Sequence, residues 1–323
     1  MNPNAFLADL EAKPFALRSL ADGLDAADPW DSIERPERVV LIGMGSSRYA
    51  AGVAATRLRA TGVDAVAEYA SLEAGTPGGP GTLVVGISAS GGTKETLTAL
   101  ERHRAAGSAV VALTNAPDSA VTEGADLVVD MAAGEEGGGV ACRSFQHTLA
   151  MLLALEARLA GRSVPAVARW VRAAADATED LLGRRDDWLD PAIELLSEGP
   201  AAFTIAPAER LSSAEQGALM LREGPRRIAD ACESGDWLHV DVYLTKPLDY
   251  RAIVFAGSRF DGAIMEWMRE RGGRVLAVGG DVPGVRQTVR YPGDDVREVA
   301  LLTEVLVPEL VAAELWRAQA GPA

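Results

Sequence analysis

Cysteine is nearly absent from this 323-residue chain, which holds Cys142 and Cys232 alone. Two thiols build no disulfide framework, so a soluble protein of the reducing cytoplasm is expected. Histidine is almost as scarce, with His103, His147 and His239. That leaves little material for a metal site, and none is expected. Basic residues are outnumbered, 31 Lys and Arg against 46 Asp and Glu, for a formal net charge of −15. This balance argues against nucleic acid and against anionic membrane surfaces, both of which recruit Lys/Arg-rich faces. No run of 18 apolar residues occurs, and the opening MNPNAFLADLEAKP has no apolar core of signal-peptide type. A phosphorylated ligand stays open, because backbone N–H groups hold an anion without a local excess of lysine.

Hydrophobic residues make up 48% of the chain and charged residues 24%, ordinary values for a globular protein of two domains. A helix is expected over 4–24, bent at Pro14. Apolar, β-branched runs at 38–45, 64–70, 81–88, 108–114 and 125–131 read as strands, separated mostly by helical patterns such as 46–62 and 92–106. A strongly apolar helix follows at 145–161, and helical spacing continues to about 186. The pattern then restarts, with strands at 200–207, 250–258 and 274–280 and helices at 208–223, 261–273 and 295–319, the last kinked or restarted at Pro308. Such alternation implies α/β architecture, mainly parallel sheets with helices on both faces, in two units over 1–186 and 187–323.

In open α/β sheets ligands bind beyond the carboxyl ends of the strands. Three Gly/Ser-rich loops lie there: GMGSSR (43–48), SASGGT (88–93) and GEEGGGVACRSF (134–145). Gly43 and Gly45 match the first two glycines of a dinucleotide fingerprint, but Arg48 stands where the third permits close packing. No Walker motif is present, so no nucleotide cofactor is expected. In the second loop Ser88, Ser90 and Thr93 offer three hydroxyls, and Gly91–Gly92 free the backbone to fold around oxygens. That set suits a phosphomonoester. Equally, Ser90 or Thr93 caps the following helix and the glycines make the turn. Ser46–Ser47 form a second serine pair. His147 reads as a packing or cap residue and His103 as a surface residue. Glu135 and Glu136 read as loop acids that either meet a sugar hydroxyl or are solvated.

GMGSSRYAAG and SASGGTKET resemble the sugar isomerase (SIS) domain family, whose phosphate loop reads S-x-S-G-x-T. The resemblance extends more weakly over about 36–320, to the isomerase half of glucosamine-6-phosphate synthases. It implies two tandem, doubly wound, flavodoxin-like SIS domains, with no glutaminase domain. It also implies phosphate held by Ser46, Ser47, Ser88, Ser90 and Thr93, with Ala89 contributing backbone, and sugar contacts at Val140 and Cys142. GALMLREGPRRIADACESGDWLHV resembles the family's catalytic helix and the segment after it. Glu223 would move the proton between C1 and C2, and His239 would open the ring, supplied by the neighbouring subunit of a homodimer. From the residues alone, Glu223 sits at a helix end that disfavours a carboxylate and can raise its pKa, as suits a base, while Arg222, Arg226 and Arg227 push it back; the other reading is a solvated partner of those arginines. His239, in the apolar WLHV, reads as a packing histidine. The family's lysine three residues before the glutamate is Met220 here, and no lysine follows Lys246. Three functions follow as expectations: an aldose–ketose isomerase or amino-sugar-phosphate deaminase, a non-catalytic phosphosugar-binding module, and, least supported, a nucleotide-dependent enzyme using Gly43–Gly45.

Overall fold

The computed structural model describes residues 1–285 and 287–321, and the chain gathers into two compact units. One comprises Ala16–Glu135 and Arg143–Val171. The other comprises Met1–Phe15, Glu136–Cys142 and the described residues from Arg172 onward. The start of the chain and the short segment 136–142 therefore belong with the later half.

The chain opens with α1 (Pro3–Glu11), whose first N–H groups are met by the Asn2 side chain, and α2 (Lys13–Ala26). The single bent helix expected here is thus two. The break falls at Ala12, and Pro14 occupies the first turn of α2, where its missing N–H costs nothing.

The first sheet is built from β1 (Arg38–Gly43), α3 (Ser46–Ala60), β2 (Asp64–Tyr69), β3 (Thr82–Ile87), α4 (Lys94–Ala105), β4 (Ala109–Thr114) and β5 (Leu127–Asp130), followed by α5 (Arg143–Leu159). Every pairing is parallel and the order is β2-β1-β3-β4-β5, the doubly wound order of flavodoxin-like sheets. Val39–Ile42, Leu83–Val85 and Val110–Leu113 are buried, because helices cover both faces of a parallel sheet. Alternation sorts those faces: Val40, Ile42 and Val84 pack with Ala99 and Leu100 of α4, whereas Gly43 faces α3. The chain thus leaves adjacent strands β1 and β3 toward opposite faces, which opens a crevice between them.

After α6 (Pro165–Gly183) and α7 (Arg185–Ser197), the second sheet is built from β6 (Ala202–Ala206), α8 (Leu211–Glu223), β7 (Ala229–Glu233), α9 (Ser234–Trp237), β8 (Arg251–Phe255), α10 (Asp261–Arg271), β9 (Arg274–Val278) and β10 (Gln287–Val289). It is closed by α11 (Arg297–Thr303) and α12 (Leu306–Ala320). Its strands are also all parallel, in the order β10-β9-β8-β6-β7. Read from β7, this repeats the order of the first sheet. The closing helix is two segments, with Pro308 in the first turn of α12 rather than at a kink.

Candidate functional site

At the crevice of the first sheet, α3 starts directly beyond β1. A Cβ on Gly43 would sit 2.7 Å from Ser47 Cβ and 2.9 Å from the Ser47 carbonyl carbon. Only glycine lets that helical turn settle so close, and it sets Ser46 and Ser47 half-buried at the sheet edge. Beyond β3, the chain turns through Ser88–Thr93. The Ser88 N–H donates to Leu113 O (3.1 Å), the Gly91 N–H to Ser88 O (3.1 Å), and the Asn115 N–H to Ala89 O (3.2 Å). Gly91 has φ +67°, and a Cβ there would lie 1.7 Å from Ser119 Oγ. The turn therefore requires glycine on two counts.

The capping reading fails on geometry. Thr93 is the N-cap residue of α4, yet its side chain makes no capping bond. Its hydroxyl instead pairs with that of buried Ser88 at 3.0 Å. Exposed Ser90 accepts only a long bond from the Gly92 N–H, at 3.5 Å. The N-cap of α3, Gly45, likewise supplies no side-chain acceptor. Two helix N-termini, each the positive end of a dipole, thus reach one crevice beside four serines and a threonine. That arrangement suits an anion with several oxygens.

The second unit holds the other expected residues. Segment 136–142 is clamped there: the Gly138 N–H donates to Asp9 Oδ2 (2.7 Å), the Cys142 N–H to Glu136 Oε1 (2.7 Å), and Gln216 Nε2 to Ala141 O (2.7 Å). Val140 and Cys142 are buried. Burial pushes the Cys142 thiol well above its ordinary value, so position 142 supplies no thiolate. Glu136 is committed to its own loop. In the same unit the fully buried Lys13 ammonium donates to fully buried Glu309.

Glu223 ends α8, seven residues beyond Gln216. Two turns of helix put both on one face, about 10 Å apart. The carboxyl is half-buried, and burial raises its pKa against the pull of Arg222 and Arg226. Among the described residues it makes no ion pair, so the expected arginine partnership is not formed. Met220 is packed in the core with 1% exposure and presents no charge.

His239 departs from expectation as well. It is exposed, in the turn after α9, and its backbone N–H donates to Asp236 O (2.8 Å). Topology also separates it from Glu223 within one chain. Glu223 precedes β7, at the strand's amino end, and His239 follows its carboxyl end. Five residues of strand lie between, about 16 Å.

The crevice of the second sheet, between β6 and β8, contrasts with the first. There Asp261 Oδ2 accepts the loop N–H groups of Gly257 (2.8 Å) and Ser258 (3.1 Å). Arg210 is drawn over the same loop, donating to Glu304 Oε1 (3.0 Å) and to Ala256 O. The chain's own carboxylate thus takes the loop donors that an anion would use.

His103 is buried rather than on the surface; burial lowers its pKa, with Arg102 adding to the effect. His147 packs as expected, with Nδ1 2.8 Å from Met131 O. Among the described residues no group of three or more His, Cys, Asp or Glu is placed to hold a metal ion, and no helix is long and apolar enough to cross a membrane. The contacts of Asp9 and Gln216 with segment 136–142, and the Lys13–Glu309 pair, were not legible, because each joins partners distant in sequence.

Comparison with known proteins places these features. The SIS domain family matches residues 32–158. The glutamine–fructose-6-phosphate aminotransferase (isomerizing) of Sulfurisphaera tokodaii is 26% identical over 284 residues, 85% of this chain and 47% of the relative. The chain therefore spans about half the length of that relative. Among solved structures, the C-terminal domain of glucosamine-fructose-6-phosphate aminotransferase from Francisella tularensis superposes with a TM-score of 0.85, at 18% identity, over 96% of this chain and 95% of the other. Glucosamine-6-phosphate deaminase from Thermotoga maritima gives 0.73, also at 18% identity, over 98% and 95%. At such identities the structural likeness is one of fold. Residues 32–158 form a SIS domain, and the chain is a homologue of the isomerase part of the glutamine–fructose-6-phosphate aminotransferases.

Proposed function

We propose that the chain binds a hexose or hexosamine 6-phosphate and isomerises or deaminates it by acid–base chemistry. The observation that carries this reading is the Ser88–Thr93 turn, with its hydroxyls and the uncapped start of α4 gathered at the first crevice. Ser46, Ser47, Ser88, Ser90 and Thr93 hold the phosphate, Ala89 adds backbone, and Val140 and Cys142 border the sugar. Glu223 takes the C2 proton as a carboxylate, leaving an enediol or enolamine, and returns it at C1. His239 opens the ring. Since one chain separates His239 from Glu223 along β7, the imidazole of each site comes from a second copy of the chain. Exposed Val240, Tyr243 and Leu244 beside His239 provide apolar surface for that pairing. The two copies act in the cytoplasm without a cofactor.

A thermal-shift screen of hexose and hexosamine 6-phosphates, followed by NMR of each hit for product, tests the reading. Stabilisation with turnover supports it; absence of any stabilisation overturns it. Stabilisation without product favours the second reading, a binding module, which the buried Met220 at the family's lysine position supports.

The raised pKa of Glu223 has a kinetic signature. The base works only when ionised, so activity falls as pH drops through that pKa. The acidic limb of kcat/KM then lies above the ordinary glutamate value of 4.5. Arg226 holds the pKa down, so Arg226→Ala moves the limb to higher pH. A limb at or below the ordinary value, or one that moves to lower pH in the variant, would contradict the assignment.

A further inference from the structure

Arg48 is a cation without a carboxylate in a chain that carries 46 acidic residues against 31 basic ones. It stands third in α3, after Ser46 and Ser47, where the helix dipole disfavours positive charge. No acidic residue occupies that first turn. Among the described residues its guanidinium makes no hydrogen bond or ion pair, and its Nε is buried with no partner. A buried, unsatisfied N–H is costly and ordinarily avoided. What holds the side chain is a ring: the guanidinium carbon lies 4.9 Å from the centroid of Tyr69. Stacking on an aromatic face fixes the plane of the guanidinium while leaving its edge free for a planar acid.

Position supplies the rest. Tyr69 pairs with Gly43 across β2 and β1, and β1 pairs in turn with β3, whose next residue is Ser88. The Arg48–Tyr69 stack therefore sits at the same sheet edge as the phosphate turn, two strand spacings away, about 10 Å. Around it Met44, Tyr69 and Leu72 are exposed and apolar. A phosphosugar anchored at Ser88–Thr93 and lying along the edge would bring its far substituents to this stack.

We propose that Arg48 is a specificity-determining residue that reads a second acidic group, a carboxylate carried by the sugar at the end away from its phosphate. The inference rests on the phosphosugar reading above and narrows its substrate class to phosphosugars bearing a carboxyl substituent. The guanidinium edge donates two N–H groups to the carboxylate, and the apolar neighbours exclude water from that bond.

A matched pair of probes tests it by calorimetry. N-acetylmuramic acid 6-phosphate and N-acetylglucosamine 6-phosphate differ only in the lactyl ether that carries a carboxylate. The wild-type chain is expected to bind the carboxylated probe about 10- to 100-fold more tightly. Arg48→Met is expected to abolish that preference while leaving N-acetylglucosamine 6-phosphate within about twofold of wild type, and Arg48→Lys to restore part of it. Equal binding of the two probes by wild type overturns the proposal and leaves the phosphosugar reading standing. So does an equal loss of both probes and of inorganic phosphate in Arg48→Met, since Arg48 would then hold the phosphate itself. Binding of neither probe by wild type, with the hexose 6-phosphates also silent, overturns both readings.

Discussion

Glu223→Gln is expected to lower turnover of the phosphosugar by about 10²–10⁴-fold while leaving its affinity within about twofold. The substitution keeps the shape of the side chain and removes only its capacity to accept a proton as an anion. Glu223 has no ion pair among the described residues to lose, and its own burial raises the energy of the charged form. Neutralising it therefore costs little stability, and the loss of rate belongs to chemistry rather than to folding. Met220 fills the adjacent turn of α8 inside the core and offers no ammonium to compensate. The measurement is exchange of the substrate's C1 and C2 protons into D2O, followed by NMR beside a binding isotherm. If the variant exchanges at the wild-type rate, Glu223 is not the base. If wild type itself exchanges nothing while binding tightly, the chain is a binding module, the reading that Met220 at the family's lysine position favours.

How much of this was legible in the sequence depends on burial. Strands β1, β3 and β4 lie inside the first sheet, are covered on both faces, and announce themselves as unbroken apolar runs. Strands β7 and β10 lie at the edges of the second sheet. They are short and carry polar residues such as Asp230 and Gln287, so their signal is diluted, and neither was read. The helix expected as a single bent unit over 4–24 broke at Ala12, and the closing helix restarted near Pro308, one of its two expected forms, because a proline belongs to a first turn more comfortably than to a bend.

At the site, the hydroxyls of residues 88–93 were visible because they are contiguous. Whether they cap or bind was not, since that depends on the Ser88–Thr93 contact. The environments of Glu223 and His239 were only partly legible for a related reason. Arg222 and Arg226 pull on Glu223 without forming an ion pair with it, and of the apolar neighbours of His239 Trp237 is buried while Val240 and the histidine stay exposed. The self-filled crevice of the second sheet was equally invisible. It needs Arg210, Asp261 and Glu304, from three elements, to meet at one loop.

Lys13→Ala is expected to destabilise the chain by about 3–5 kcal/mol, through the carboxylate it abandons rather than the contact it deletes. Lys13 and Glu309 are both fully buried, 296 residues apart in sequence, and each is the other's counter-charge. Burial pushes Glu309 up to about 7, against the opposing pull of Lys13, and nearby Glu136 adds to the rise. Without the ammonium that pKa climbs further. A raised folded-state pKa means that the folded chain binds more protons than the unfolded one between the ordinary value of 4.5 and the raised one. Stability then falls as pH rises through that window. The variant's deficit should therefore be larger at pH 8 than at pH 5.5, as read from urea unfolding midpoints at each pH. Replacing both partners, Lys13→Met with Glu309→Leu, removes the stranded charge and should recover most of the loss. A deficit independent of pH, or a double variant no better than Lys13→Ala, would show that packing around the lysine stem, not the charge pair, is what the chain loses.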